Sequence, residues 1–225
     1  MKFLIIPLLF CLPALAIAHE TDDHYDRVHL SASAQTQVEN DTIIATLYTQ
    51  EEGSDVAQLA NLVNQRITEA VGLVKRYDAI KLQTSSYNTS PVYHKNKITG
   101  WRVRQNIRLE SRDMTLMSDV LGQLQKTLNL QQINFEVSPE LKNSTDDSLI
   151  AEALQVFEQR AKNITQQLGR KNYKIVDINV STSGSHYPRR QYEAAVMSAS
   201  KISAPSIEGG EQTLQVTVTG QIEME

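Results

Sequence analysis

The run from Gly100 to Ser111 constrains the fold more than any other segment. Trp101, Val103, Gln105, Ile107 and Leu109 share one parity, and Arg102, Arg104, Asn106, Arg108 and Glu110 share the other. Successive side chains of a strand point to opposite faces. The run therefore predicts a half-buried strand with an apolar side on the core and a basic side toward solvent. Such a strand belongs to an antiparallel sheet that is covered on one face only.

The flanking sequence supplies the cover. Val56, Leu59, Ala60, Val63, Ile67, Ala70, Val71 and Val74 recur at helical spacing. Ser54 is the expected cap, with Asp55 well placed against the helix dipole. A second helix follows Asp113, with Leu116, Met117, Val120, Leu121, Leu124 and Leu128 as its stripe. A third is expected from Ser144 or Thr145, with Asp146 and Asp147 in its first turn and Gly169 as its stop.

Strands are expected at 27–38, 42–49, 80–89, 133–137, 175–181 and 213–224, besides the alternating run. Glu39-Asn40-Asp41 reads as a turn joining the first two. Pro91 and the polar run 94–99 read as a hairpin loop, and Ser138-Pro139 as the stop of the 133–137 strand. The order is β-β-α-β-β-α-β-α-β-long loop-β. It predicts an α+β fold, mainly antiparallel sheet or sheets with three helices packed on one face. One domain covers 27–225, with a long loop at 183–212 that is unusual in a compact fold.

The N-terminus carries an address. Lys2 precedes an apolar stretch at 3–15, Ala16-Ile17-Ala18 follows, and His19-Glu20-Thr21-Asp22-Asp23 is polar. This is the pattern of a secretory signal peptide at 1–18, cut between Ala18 and His19. The stretch falls short of the about 20 residues that span a bilayer, and Pro7 and Pro13 interrupt it. Residues 19–26 are expected to be a disordered lead-in. The expected localisation is periplasmic or secreted, with no transmembrane segment in the mature chain.

Cys11 is the single cysteine. If it leaves with the leader, disulfides, thiol catalysis and cysteine metal sites are excluded. The formal net charge is −4, from 22 basic and 26 acidic residues, and losing Lys2 makes it more negative. A mildly acidic, mixed surface argues against nucleic acid as a partner.

Catalytic signatures are missing. There is no G-x-S-x-G, P-loop, dinucleotide fingerprint or H-E-x-x-H. His19, His24 and His29 lie near Glu20, Asp22, Asp23 and Asp26, but their spacing gives no shared face, so a solvated tail is expected. His94 and His186 have no partner histidine. The pairs Asp22-Asp23, Glu51-Glu52 and Asp146-Asp147 are read as tail, strand end and helix start rather than as general acids and bases. No catalytic residue, metal ligand or cofactor site is assigned.

Two groups remain as candidate interfaces. Arg102, Arg104 and Arg108 form a basic stripe, with Arg112 beyond it. A solvated face salted by nearby glutamates is the plainer reading of that stripe. Tyr187, Arg189, Arg190 and Tyr192 lie in the long loop, and tyrosine with arginine is typical of interface anchors.

Three stretches together resemble the SIMPL-domain family. The first is the run from Gly100 to Asp113, similar to the family's Gly-aromatic start, alternating strand and Arg-Asp entry to a helix. The second is the helix from Ala151 to Gly169, which ends in Leu-Gly. The third is Pro205-Ser206-Ile207-Glu208-Gly209-Gly210-Glu211-Gln212, followed by the alternating last strand. There Gly209 stands for the family's usual proline, and Ser206 is inserted.

The resemblance implies an α+β fold and an exported bacterial protein. The family includes periplasmic oxidative-stress-defence proteins and an outer-membrane-associated immunogenic antigen. Some members assemble into large rings, so a homo-oligomer is expected, with envelope proteins as further partners. The leading expectation is a non-enzymatic protein of envelope or oxidative-stress protection. The alternatives are a structural ring or channel-like oligomer and an uncharacterised hydrolase.

Overall fold

The computed structural model describes residues 25–182 and 208–225. Its elements are β1 (Arg27–Glu39), β2 (Thr42–Gly53), α1 (Val56–Val74), β3 (Ile80–His94), β4 (Lys97–Ser111), α2 (Met114–Leu124), β5 (Asn129–Glu136), α3 (Pro139–Gln167), β6 (Tyr173–Thr182) and β7 (Glu211–Met224). The fold is α+β in the expected order. The strands form two antiparallel sheets, ordered β1-β7-β6 and β3-β4-β2-β5.

Each sheet buries one face under helix. Ile43, Ala45 and Leu47 of β2 and Ile107 and Leu109 of β4 form a core with Ile67, Ala70 and Val74 of α1 and Met117, Val120, Leu121 and Leu124 of α2. Val103 continues it beside Leu59 and Val63. The parity read from the alternating run is the parity of this core. In the other sheet, Ala32 and Ala34 of β1 and Leu214, Val216, Val218 and Ile222 of β7 pack on Leu149, Ala153, Phe157 and Ala161 of α3.

The turn at Asn40-Asp41 does not join a hairpin. β1 pairs with β7, whereas β2 lies between β4 and β5 in the other sheet. The two residues are a crossover, held by side chains and by the Asn40 N–H, which donates to the Gly210 carbonyl at 3.0 Å. The Asn40 amide donates to the carbonyls of Gly209 at 2.8 Å and Gly210 at 3.3 Å. Asp41 accepts from the Ser138 N–H and hydroxyl, each at 2.6 Å. Gly210 has φ +64°, and a Cβ on Gly209 would lie 2.9 Å from the Asn40 carbonyl. Glycine at both positions lets the chain pass this crossing.

Several boundaries differ from expectation. Asp55, not Ser54, caps α1, accepting from the N–H groups of Ala57 and Gln58. α3 begins at Pro139, ahead of Ser144 and Thr145, with Ser138 as its cap. Proline lacks an N–H that a first-turn position leaves unpaired anyway, so it starts a helix as readily as it stops a strand. Ser144 and Thr145 lie inside α3 and return their hydroxyls to the Leu141 carbonyl.

The expected 94–99 loop is instead a tight turn at Lys95-Asn96, whose φ values are 47° and 61°. Positive φ at both central residues is the hairpin geometry that matches strand twist. Pro91 is accommodated because β3 is an edge strand.

Candidate interaction surface

The helix-free face of the four-stranded sheet carries the predicted basic stripe. Arg102, Arg104 and Arg108 all project from β4 away from the core. They align with Glu52, Gln50 and Thr46 of β2. Arg102 donates to Glu52 at 2.5 Å. Arg108 meets Glu110 at 3.4 Å, and Lys81 meets the same carboxylate at 3.3 Å. These are the nearby glutamates of the plainer reading. Exposed pairs of this kind contribute little stability.

Arg104 is held differently. Its guanidinium carbon lies 3.7 Å from the Tyr48 ring centroid. It donates to Asn106 at 3.1 Å and to Gln131 at 2.6 Å. Stacking on an aromatic face fixes the guanidinium without neutralising it. Arg112 pairs with Glu140 of α3 and lies 4.0 Å from Asp41. Burial opposes charge on Asp41, but the Ser138 hydroxyl and N–H, Thr42 and Arg112 together hold its carboxyl below the ordinary range.

The other candidate anchors, Tyr187, Arg189, Arg190 and Tyr192, lie outside the described residues, as do Ala18, His19 and the leader. They are therefore not placed relative to the β4 arginines. His94 ends β3 and is exposed. Asp146 is buried within α3 and pairs with Lys142 at 2.5 Å. Glu51 pairs with Arg66, and Glu52 with Arg102. Each acidic pair thus has a member with a structural partner or lies in the undescribed N-terminus. Among the described residues, no three His, Cys, Asp or Glu gather as a metal site would require.

Among the described residues, two surface hollows stand out. One of about 360 Å³ is lined by His29, Leu30, Ser31, Asp177, Thr219 and Gly220. The other, about 240 Å³, is lined by Lys162, Thr165, Gln166, Lys171, Asn172 and Tyr173.

The surface that sequence reasoning missed is β6. It is an edge of the three-stranded sheet, and every residue after Tyr173 is exposed. Ile175, Val176, Ile178 and Val180 stand in solvent. α3 covers β1 and β7, and Tyr173 at the start of β6 packs against the same core. The signal was the apolar content of 175–180, but reading it as an exposed edge requires knowing that α3 lies mainly over β1 and β7.

At the foot of this sheet, Glu223 of β7 sits between Arg27 of β1 at 2.7 Å and Lys174 of β6 at 2.9 Å. Hydrogen bonds from Lys174 and then Arg27 lower its pKa to about 2. The same contact raises that of Lys174. Asp26, at the end of the expected lead-in, accepts from Arg170 at 2.8 and 2.7 Å. Among the described residues, no helix is long and apolar enough to cross a membrane.

No curated protein matches the chain. The family model for SIMPL, described as "Protein of unknown function (DUF541)", matches residues 28–222. That match begins at the second residue of β1 and ends within β7, so it spans both sheets and all three helices. The chain belongs to the SIMPL family.

Proposed function

We propose that this chain is a non-enzymatic, exported periplasmic protein that protects the cell envelope, including against oxidative stress, by assembling with copies of itself and binding envelope proteins. The observation that carries the reading is β6. An edge strand with apolar side chains in solvent is a template for pairing, which monomeric proteins normally cover, shorten or charge. The signal-peptide pattern at 1–18 supports the address. A chain that has lost Cys11 has no thiol for peroxide reduction, so protection would come from binding or shielding.

A ring or channel-like oligomer is the second reading. The three-stranded sheet ends in two unlike edges, β1 and β6. Pairing unlike edges head to tail closes a ring when the rotation permits. One observation weighs against it: Arg160 of α3 donates to the main-chain carbonyl of Ser31 on β1.

The test is a strain lacking the chain, challenged with peroxide and complemented in trans. The expected result is increased sensitivity, restored by the chain, with the protein in the periplasmic fraction. The purified protein is expected to show no turnover of peroxide or of envelope polymers, with or without divalent metal. Robust turnover, or a cytoplasmic location, would overturn the reading.

A further inference from the structure

We propose that β6 is a two-fold docking strand, pairing antiparallel with β6 of a second copy about Asn179 and joining two three-stranded sheets into one. The proposal rests on the assembly reading above and adds to it the strand, its direction and its register.

The chemistry of β6 is self-complementary. After the irregularity between Ile175 and Asp177, the strand alternates regularly. Ile178, Val180 and Thr182 align with Gly220, Val218 and Val216 on the helix-covered face. Asp177, Asn179 and Ser181 align with Gln221, Thr219 and Thr217 on the polar face. Like faces of two copies therefore match, apolar to apolar and polar to polar. The one cation of the strand, Lys174, is already held by Glu223.

Symmetry sets the direction. A two-fold contact presents the same patch from both copies, so the same strand meets itself antiparallel. Charge and the irregularity set the register. Centring on Asp177 would oppose two carboxylates, which is unfavourable directly across a ladder. Centring on Ile178 would bring Val180 opposite Val176, where the strand is irregular. Centring on Asn179 places Ile178 against Val180 and Asp177 against Ser181 within the regular part of the strand, and leaves the irregular Val176 to meet Thr182 only at the end of the ladder.

The opposite edge differs. On β1, Arg160 already occupies the Ser31 carbonyl, and the apolar Ala32 and Ala34 are buried beneath α3. β6 is 40% exposed at both Ile178 and Val180, on the face where a second sheet's apolar residues would continue the layer.

The experiment is cysteine cross-linking of the whole chain, with Cys11→Ser removing the other thiol. Under mild oxidation, Asn179→Cys is expected to form a covalent dimer at least about fivefold faster than Val180→Cys, because position 179 faces its own copy and position 180 faces 178. Ile178→Lys is expected to give a monomer with an unchanged circular dichroism spectrum. If that variant fails to fold, the cysteine pair still decides. Equal cross-linking at both positions overturns the register. An oligomer of unchanged mass in Ile178→Lys overturns the β6 interface but leaves assembly standing.

A monomeric parent chain overturns both this proposal and the assembly reading. A different protein co-purifying in equal amount, and lost with Ile178→Lys, would overturn the second copy as occupant.

Discussion

Glu223 shows how much one side chain can tie together. It lies on the middle strand and holds a cation from each neighbour, Arg27 and Lys174. Its pKa in the folded protein is about 2, below the value in an unfolded chain. The stabilisation it gives is therefore complete above the unfolded carboxylate range and is lost as pH falls toward about 2. Asp41 adds to the same trend. Denaturation midpoints should fall as pH is lowered from about 6 to about 2.5, and Glu223→Gln should flatten part of that slope. A variant with the parent's pH slope would show that the three-residue contact is not formed in solution.

Gly220 is the second informative residue. A Cβ there would lie 2.5 Å from the Asp177 carbonyl and 3.0 Å from the Phe157 ring. Gly220→Ala should therefore destabilise by about 1–3 kcal/mol, the usual cost of overpacking a filled site. Urea unfolding followed by circular dichroism measures it. A neutral result would mean that β7 and Phe157 have room to shift. The sequence marks Gly220 only as a glycine within an alternating strand; the ring that needs the space comes from a distant helix.

Among the elements, those with strong local periodicity were legible. The parity of β4, the stripes of α1 and α2, and the outward placing of Arg102, Arg104 and Arg108 all follow from spacing. The start of α3 was not, because Ser138-Pro139 is equally good punctuation for ending a strand and beginning a helix. Ser138→Ala should cost about 1 kcal/mol for the lost cap, and more if Asp41 is left with fewer donors. Thermal unfolding reads this, and Ser144→Ala, an interior substitution, should be close to neutral by comparison. Equal effects would place the helix start later. The partners of the arginines were illegible for a different reason. Glu52, Tyr48 and Gln131 reach them only through the register of neighbouring strands.

At the scale of the molecule, the sequence yields the fold class but not the partition into two sheets. Local turn chemistry at Asn40-Asp41 is the same whether the chain folds back or crosses over. What decides is long-range: β1 finds β7, the last strand, and α3 seals that pair. The partition leaves β6 beyond Tyr173 at the margin of the α3-covered core, and this is the origin of the exposed edge. The sequence pointed to the 183–212 loop as the assembly element. The described structure adds the strand immediately before it.

The central claim is that this chain acts as an assembly. The most direct test is the mass of the purified chain by size-exclusion chromatography with multi-angle light scattering, at about micromolar concentration. Two or more copies per particle, dissociating with Ile178→Lys, is the predicted result. A stable monomer across that concentration range would contradict it.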